Sequence, residues 1–300
     1  MLNSKWFLEF TTDDEASLHN IEEVVFSART EYQMLEILRL GGYGKCLVLD
    51  GKMQSTQTDE FIYHESLVHP SMISMDFPVS VLIAGGGEGA TIREALRYPS
   101  VEEIYLVDLD PEVVNACKKH LPEWHRGAFD NPKVTVIFED ARKFIENSGK
   151  KFDLIILDLP EPFDEGPAAL LYTREFYRAV FDILSGSGSM VTQATSTAVH
   201  NCSAFLIICK TLKEVFPIVR PYSTNVPSFY SPWGFVFASK QYDPISLSSG
   251  VLKNRISLLE GLRFYDYDVH TGLFILPKFL KEAIEKEERV NTDSNPLSFY

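Results

Sequence analysis

At 300 residues, with 45% hydrophobic and 23% charged residues, the chain is long enough for one large core or two unequal domains of ordinary globular character. Its formal net charge of −14 argues against nucleic acid and an anionic membrane as main partners and suits a cationic small molecule, or equally the plain solubility of an acidic protein. The four scattered cysteines (Cys46, Cys117, Cys202, Cys209) lack zinc-site or redox spacing, no apolar run approaches the ~20 residues of a membrane span, and Met1 to Trp6 lacks a signal-peptide pattern, so a cytoplasmic location with reduced thiols is expected.

The first sixty or so residues predict short strands. Trp6–Phe10 is one; Gln33–Leu40 alternates with period two, and Gly41-Gly42-Tyr43-Gly44 turns it back into Cys46–Leu49, before a tight turn at Asp50-Gly51. Together they predict a small antiparallel β-domain over residues 1–66. A short helix around Tyr63–His69 is expected to lead into a larger domain over residues 67–300. There the texture changes to alternating strands (79–84, 104–108, 134–138, 154–158, 189–193) and helices (90–97, 111–121, 141–147, 173–183, 204–215). Near-continuous apolar strands such as Leu154-Ile155-Ile156-Leu157 suit a parallel sheet covered on both faces. A hairpin (219–224, 235–239) and a late helix (277–287) complete the prediction: an α/β protein of Rossmann-like, class I methyltransferase type preceded by an antiparallel β-domain.

The most informative segment joins the strand Val81-Leu82-Ile83-Ala84 to a helix through Gly85-Gly86-Gly87-Glu88-Gly89-Ala90. A glycine loop after a strand, with Asp108 about twenty residues on, is the layout for holding an adenosine and its ribose hydroxyls. A pyrophosphate would sit at the helix N-terminus, where the fixed charge of Glu88 is unwelcome. The ligand is therefore expected to be a nucleoside without phosphate, and one that carries positive charge. At the carboxyl ends of the predicted strands stand Glu88, Asp108, Asp140, Asp158 and Gln193, and four acids facing one crevice call for something cationic between them.

These residues carry a resemblance to the polyamine aminopropyltransferases, the spermidine synthase group. The matching pieces are Leu49-Asp50-Gly51-Lys52-Met53-Gln54-Ser55-Thr56 with Asp59-Glu60 and Tyr63-His64-Glu65; Gly85 to Gly89; Asp108-Leu109-Asp110; Glu139-Asp140-Ala141; Asp158-Leu159-Pro160-Glu161-Pro162; and Leu171-Tyr172-Thr173 with Phe176-Tyr177. The resemblance implies transfer of a 3-aminopropyl group from decarboxylated S-adenosylmethionine to an amine, with release of methylthioadenosine, and neither a metal nor a prosthetic group. It also implies a homodimer or homotetramer. By position, Asp108 resembles the ribose ligand, Asp140 the partner of the adenine amino group, and Glu88 the acid facing the donor's aminopropyl end. Gln33 and Gln54, with Gly85, Gly87, His64 and Ala141, complete the expected donor pocket. Asp158 and Tyr63 resemble the residues at the reacting centre, and Glu161, Tyr172, Gln193 and Trp233 are expected around the acceptor.

The chain departs from the family's Asp-x-x-Asp-Pro run, because Glu161 stands where the second aspartate is usual. That leaves the reaction type intact and opens the acceptor: putrescine, agmatine or spermidine. The run Val226-Pro227-Ser228-Phe229 with Trp233-Gly234 resembles the thermospermine and thermophile triamine branch, which leans the choice to a longer amine. Asp164-Glu165 suit either a solvated loop or part of a lid over the acceptor, the lid being the preferred reading. His120, His125 and His200, without ligand spacing, read as surface residues. Three other functions compete: an S-adenosylmethionine-dependent N-methyltransferase of small amines, an NAD-dependent dehydrogenase, and a non-catalytic homologue.

Overall fold

The protein is described by a computed structural model covering residues 5–12, 14–161 and 167–296. Five strands open the chain: β1 (Lys5–Phe10), β2 (Ala16–Arg29), β3 (Met34–Leu40), β4 (Gly44–Leu49) and β5 (Lys52–Thr56), paired antiparallel in chain order. The pair predicted over Gln33–Leu40 and Cys46–Leu49 forms as β3 and β4, in register from Leu35↔Leu49 to Leu40↔Gly44. Sequence did not signal β2. Its alternation of exposed and half-buried positions holds only to Ile21 and then breaks, with Glu22–Val24 all exposed and Val25 and Phe26 both half-buried, and its pairing with β3 shifts register twice, between Ile21 and Glu23 and between Val24 and Phe26. Such irregularity breaks the period-two signal by which a strand is recognised.

The helix α1 (Glu60–Ser74) follows, longer than the expected short linker, with Pro70 inside it. Nearly every residue of α1 is buried, so it lacks the polar stripe by which a helix is read from sequence. Asp59 precedes it and accepts hydrogen bonds from Thr56 Oγ1 at 2.6 Å and Ser228 N–H at 2.7 Å. Glu65, on its second turn, accepts three backbone amides from the far end of the chain: Arg263 at 2.9 Å, and Phe264 and Tyr265 at 2.8 Å each.

The second sheet has seven strands: β6 (Ser80–Gly85), β7 (Glu103–Asp108), β8 (Val134–Phe138), β9 (Phe152–Asp158), β10 (Leu184–Ser196), β11 (Ile218–Val226) and β12 (Ser231–Ser239). Their order is β11-β12-β10-β9-β6-β7-β8. The five from β10 to β8 are parallel, and β12 runs antiparallel to both β10 and β11. Connecting helices are α2 (Ala90–Ala95), α3 (Pro111–His120), α4 (Pro122–His125), α5 (Ala141–Asn147), α6 (Arg174–Ile183) and α7 (Ser203–Lys213). Three further helices close the chain: α8 (Ser249–Ser257), α9 (Tyr267–Leu273) and the expected α10 (Lys278–Lys286); the first two were not predicted.

Alternation in the central strands builds two cores. Ile83, Leu154 and Ile156 face a cluster with Leu67, Val68 and Met72 of α1. Leu82, Ile155 and Leu157 face Phe176, Tyr177 and Val180 of α6. Both sets are buried, which is why these strands read as continuous apolar runs. The small sheet packs onto the large domain where Leu35, Ile37 and Leu47 meet Val113, Cys117 and Trp124, each buried large side chain contributing roughly 1.5–3 kcal/mol.

The strand order grows outward in both directions from the β6–β9 pair. That switch point is where open α/β sheets bind ligands, and Gly85 of β6 lies opposite Asp158 of β9 there. Among the described residues no helix is long and apolar enough to cross a membrane, and no cluster of His, Cys, Asp and Glu is arranged to hold a metal. All four cysteines are unpaired. His125, expected at the surface, is buried, its Nδ1 accepting the Gly127 N–H at 3.1 Å. Asp164 and Glu165 lie outside the described residues.

Candidate active site

The glycine loop lets two strand-end acids come flush against backbone. Gly85 has φ +78°, and a Cβ there would stand 2.1 Å from the Asp158 carbonyl oxygen. A Cβ on Gly87 would stand 2.7 Å from Asp108 Oδ2. Neither position admits another residue without moving the acid beside it. Asp108 ends β7, and its Oδ1 accepts the Asp110 N–H at 2.9 Å. Burial pushes its pKa up to about 6, the Asp110 amide offsetting part of the rise. Asp140 caps α5 by accepting the Lys143 N–H at 2.8 Å, and Ala141 is the first residue of that helix.

Glu88 is buried and held from behind. Ser55 Oγ donates to its Oε2 at 2.8 Å and itself accepts from Trp124 Nε1 at 2.9 Å. Its Oε1 stands 2.7 Å from His64 Nε2, an ion pair whose alignment falls short of a good hydrogen bond. On the other side of the ring, His64 Nδ1 donates to the Glu60 carbonyl at 2.7 Å and faces Glu60 Oε2 at 3.0 Å. Burial alone would lower the His64 pKa; contact with Glu60 and Glu88 overrides it and raises it to about 10. Arg93 Nη2 continues the series to Glu60 Oε2 at 2.9 Å, and Arg93 Nε to Glu94 Oε1 at 2.7 Å. Behind Glu88, therefore, charges alternate in a dry interior.

Asp158 is held differently. Tyr63 Oη donates to its Oδ1 at 2.7 Å and Thr91 Oγ1 to its Oδ2 at 2.6 Å. It is recessed in a cavity yet partly reached by solvent. Burial raises its pKa; the positive His64 and the two hydroxyl donors pull down, and the charge of Glu88 pushes up further. Burial and the neighbouring Asp158 keep the Tyr63 phenol protonated far above its ordinary range, so Tyr63 is a donor to this carboxylate.

Residues 60–248 match the spermine/spermidine synthase domain, and residues 5–57 match the spermidine synthase tetramerisation domain. The chain belongs to this family. A polyamine aminopropyltransferase of Sulfolobus acidocaldarius is 45% identical over 300 residues, covering 99% of each chain. That of Aeropyrum pernix is 46% identical over 301 residues, covering 99% of this chain and 96% of its own. A crystal structure of spermidine synthase in complex with the transition-state analogue AdoDATO superposes with a TM-score of 0.89 at 30% identity, covering 96% of this chain and 98% of that one. Among the competing functions, aminopropyl transfer is the one family membership selects. The match to a tetramerisation domain supports self-association.

The aminopropyltransferase carries a cavity of about 240 Å³ at the β6–β9 switch point, lined by every expected site residue except His64 and Tyr172. His64, expected to touch the donor, is fully enclosed behind Glu88. Tyr172 is fully buried too; its Oη donates to the Pro160 carbonyl at 3.1 Å and accepts from Gln193 Nε2 at 2.8 Å. Gln193 also donates to the Leu159 carbonyl at 2.9 Å and accepts the Thr195 N–H at 2.9 Å. Both side chains thus brace the loop after Asp158; Gln193 still lines the cavity, whereas Tyr172 lies behind its wall. Gln33 Nε2 donates to Asp110 Oδ2 at 3.0 Å, and Gln54 Nε2 to the Lys52 carbonyl at 3.2 Å. Trp233 packs on Phe229 with ring centroids 4.6 Å apart.

Sequence reasoning passed over Thr91, Ser55, Glu60, Arg93 and Trp124. Ser55 and Glu60 lie inside the motif pieces quoted above, and Thr91 is one step into the glycine-loop helix, so position offered a signal for these three. Trp124 and Arg93 offered none, because their role depends on tertiary packing alone.

Proposed function

We propose that the enzyme holds decarboxylated S-adenosylmethionine along the glycine loop and transfers its aminopropyl group to a linear polyamine longer than putrescine, spermidine being the leading candidate. The observation that carries this reading is the Asp158 carboxylate. It sits at the switch point with two hydroxyl donors and, among the described residues, no cation hydrogen-bonded to it, in a cavity lined by six acids, Glu9, Glu88, Asp108, Asp140, Glu161 and Asp158 itself.

The donor supplies a sulfonium, whose sulfur leaves as a neutral thioether when an amine nitrogen attacks the adjoining carbon. What the protein must do is hold that nitrogen in line and unprotonated. A free aliphatic amine, with a pKa near that of lysine at about 10.4, is mostly ammonium at neutral pH. Asp158, its pKa raised by burial, accepts the proton from the attacking nitrogen and orients it, as a general base. Tyr63 fixes the carboxylate and serves as a relay. Asp108 binds the ribose hydroxyls and Asp140 the adenine amino group, while Gln33, Gln54 and Ala141 complete the nucleoside pocket. Glu88 takes the donor's ammonium, and charge-assisted bonds of this kind are about twice as strong as neutral ones. Glu161 and Trp233 face the acceptor, the indole adding cation–π attraction along a methylene chain.

Incubating the enzyme with decarboxylated S-adenosylmethionine and putrescine, agmatine, cadaverine or spermidine, and separating the isomeric products, tests this directly. Methylthioadenosine release with spermidine as the best substrate is expected; putrescine as the best substrate would overturn the choice of acceptor. Release of S-adenosylhomocysteine from the ordinary donor would overturn the reaction.

A further inference from the structure

The turn between β11 and β12 forms one wall of the cavity and is held at two points. It spans Pro227–Tyr230, and Phe229, Tyr230 and Ser231 line the cavity together with Trp233. At one point the buried Asp59, just before α1, accepts the Ser228 N–H at 2.7 Å. At the other, His19 of β2 reaches across from the small sheet. Its Nε2 accepts the Tyr230 hydroxyl, and the two rings stack with centroids 5.5 Å apart. Tyr43, between β3 and β4, closes the group edge-on, 5.5 Å from His19 and 6.4 Å from Tyr230. Burial, helped by Tyr43 and the charge of Glu9, holds the Tyr230 phenol protonated well above its ordinary range. Burial also lowers the His19 pKa, so the phenol donates and a neutral imidazole accepts.

Tyr230 has φ +55°, a left-handed conformation that a residue with a side chain keeps only when its surroundings hold it there. The His19 contact supplies that hold. What it steadies is the wall on either side. Phe229, the residue before Tyr230, meets the Tyr63 ring at 5.7 Å and the Trp233 ring at 4.6 Å, and Tyr63 donates to Asp158. His19 itself does not line the cavity. The acids assigned to the donor, Glu88, Asp108 and Asp140, stand instead at or beyond the ends of β6, β7 and β8. A shift of this turn is therefore felt by the amine before it is felt by the nucleoside.

We propose that His19 is a positioning residue for the acceptor amine: from the small sheet it locks Tyr230, and through Tyr230 the wall formed by Phe229 and Trp233. This rests on the reading above that the amine lies against Trp233. The test uses whichever amine the wild-type enzyme turns over best, so it does not depend on the choice of acceptor. His19→Phe keeps a ring without an acceptor, and Tyr230→Phe keeps a ring without a donor. Each should raise the amine's KM about fivefold or more, as one lost hydrogen bond would. The double variant should be no worse than either single one, since both remove the same contact. The donor's KM, and methylthioadenosine affinity by calorimetry, should stay within about twofold of wild type. His19→Gln restores an acceptor oxygen and should return the amine's KM to within about twofold of wild type. Tyr230→Phe leaves the small sheet untouched and carries the test if His19→Phe does not fold. An unmoved amine KM, additive effects in the double variant, an equal rise for donor and amine, or no rescue by glutamine would each overturn the lock. If Trp233→Leu also leaves the amine's KM unmoved, the reading of the wall falls with it; if Trp233→Leu raises it, only the lock is lost.

Discussion

Glu88 and Asp158 open into the same cavity and are supported in opposite ways. Glu88 is backed by the imidazolium of His64, which Glu60 and Arg93 hold in turn. Among the described residues, Asp158 meets only the hydroxyls of Tyr63 and Thr91 at hydrogen-bond distance. A carboxylate set against a fixed cation is suited to serve as an anchor. A carboxylate among hydroxyls, its pKa raised by burial, can take and return a proton. Two like side chains a few residues from one glycine loop are thereby divided into an anchor and a base.

The largest expected effect breaks the base. Asp158→Asn keeps the shape and one acceptor oxygen for the two hydroxyls but cannot accept a proton, so kcat should fall by about 10²–10⁴, with methylthioadenosine binding nearly unchanged by calorimetry. Intact turnover would show that another group removes the proton.

Breaking the anchor should cost stability first. His64→Gln leaves Glu88 and Glu60 buried without their shared cation, a loss of about 3–5 kcal/mol for a broken buried pair, measurable by denaturant unfolding. The same contact gives a pH dependence in the wild type. Because the folded pKa is raised, to about 10, the His64 contribution is full below its unfolded pKa of about 6.5. It declines as pH rises from there and is gone above about 10. The His64→Gln variant should lack this alkaline decline; a parallel decline in both proteins would assign it elsewhere.

A smaller effect separates donor binding from chemistry. With the Asp108 pKa at about 6, methylthioadenosine affinity should fall roughly tenfold between pH 8 and pH 5 as this proposed ribose ligand is protonated. Asp108→Asn should bind weakly and show a flat profile over that range. The smallest effect concerns the brace: Tyr172→Phe removes two hydrogen bonds to the Pro160 and Gln193 groups. It should cost about 1–3 kcal/mol of stability where buried partners are left unpaired, with a KM change for the amine larger than that for the donor.

Anchor and base differ also in how far sequence exposed them. The strand-end acids were legible because a parallel sheet places the end of every strand at one crevice, and the period-two and apolar-run signals locate those ends within a residue or two. The glycine loop located Glu88, and the motif resemblance located Tyr63 and Asp158. What could not be read was the reverse side of the same residues. Trp124 reaches Ser55, and Arg93 reaches Glu60, across 69 and 33 positions of chain; no local pattern encodes such partners. His64 shows the same limit, since its motif suggested a ligand contact and only packing reveals it as the cation behind Glu88. Within the fold, β2 escaped because its register shifts scramble alternation, and α1 because burial on all sides leaves it no polar stripe.

The triplet Tyr63-His64-Glu65 shows how tightly one turn of helix can be subscribed. Successive residues project about 100° apart around a helix axis, and here the three directions serve three separate partners: Asp158, Glu88, and the backbone of residues 263–265. The last of these makes the C-terminal fifth of the chain a guy-rope for the reacting centre. Substitutions near Phe264 that reshape its backbone would be felt as misaligned chemistry, although they lie some two hundred positions from Tyr63 in the chain. For anyone engineering this enzyme, a tail that looks remote from the cavity belongs to its calibration.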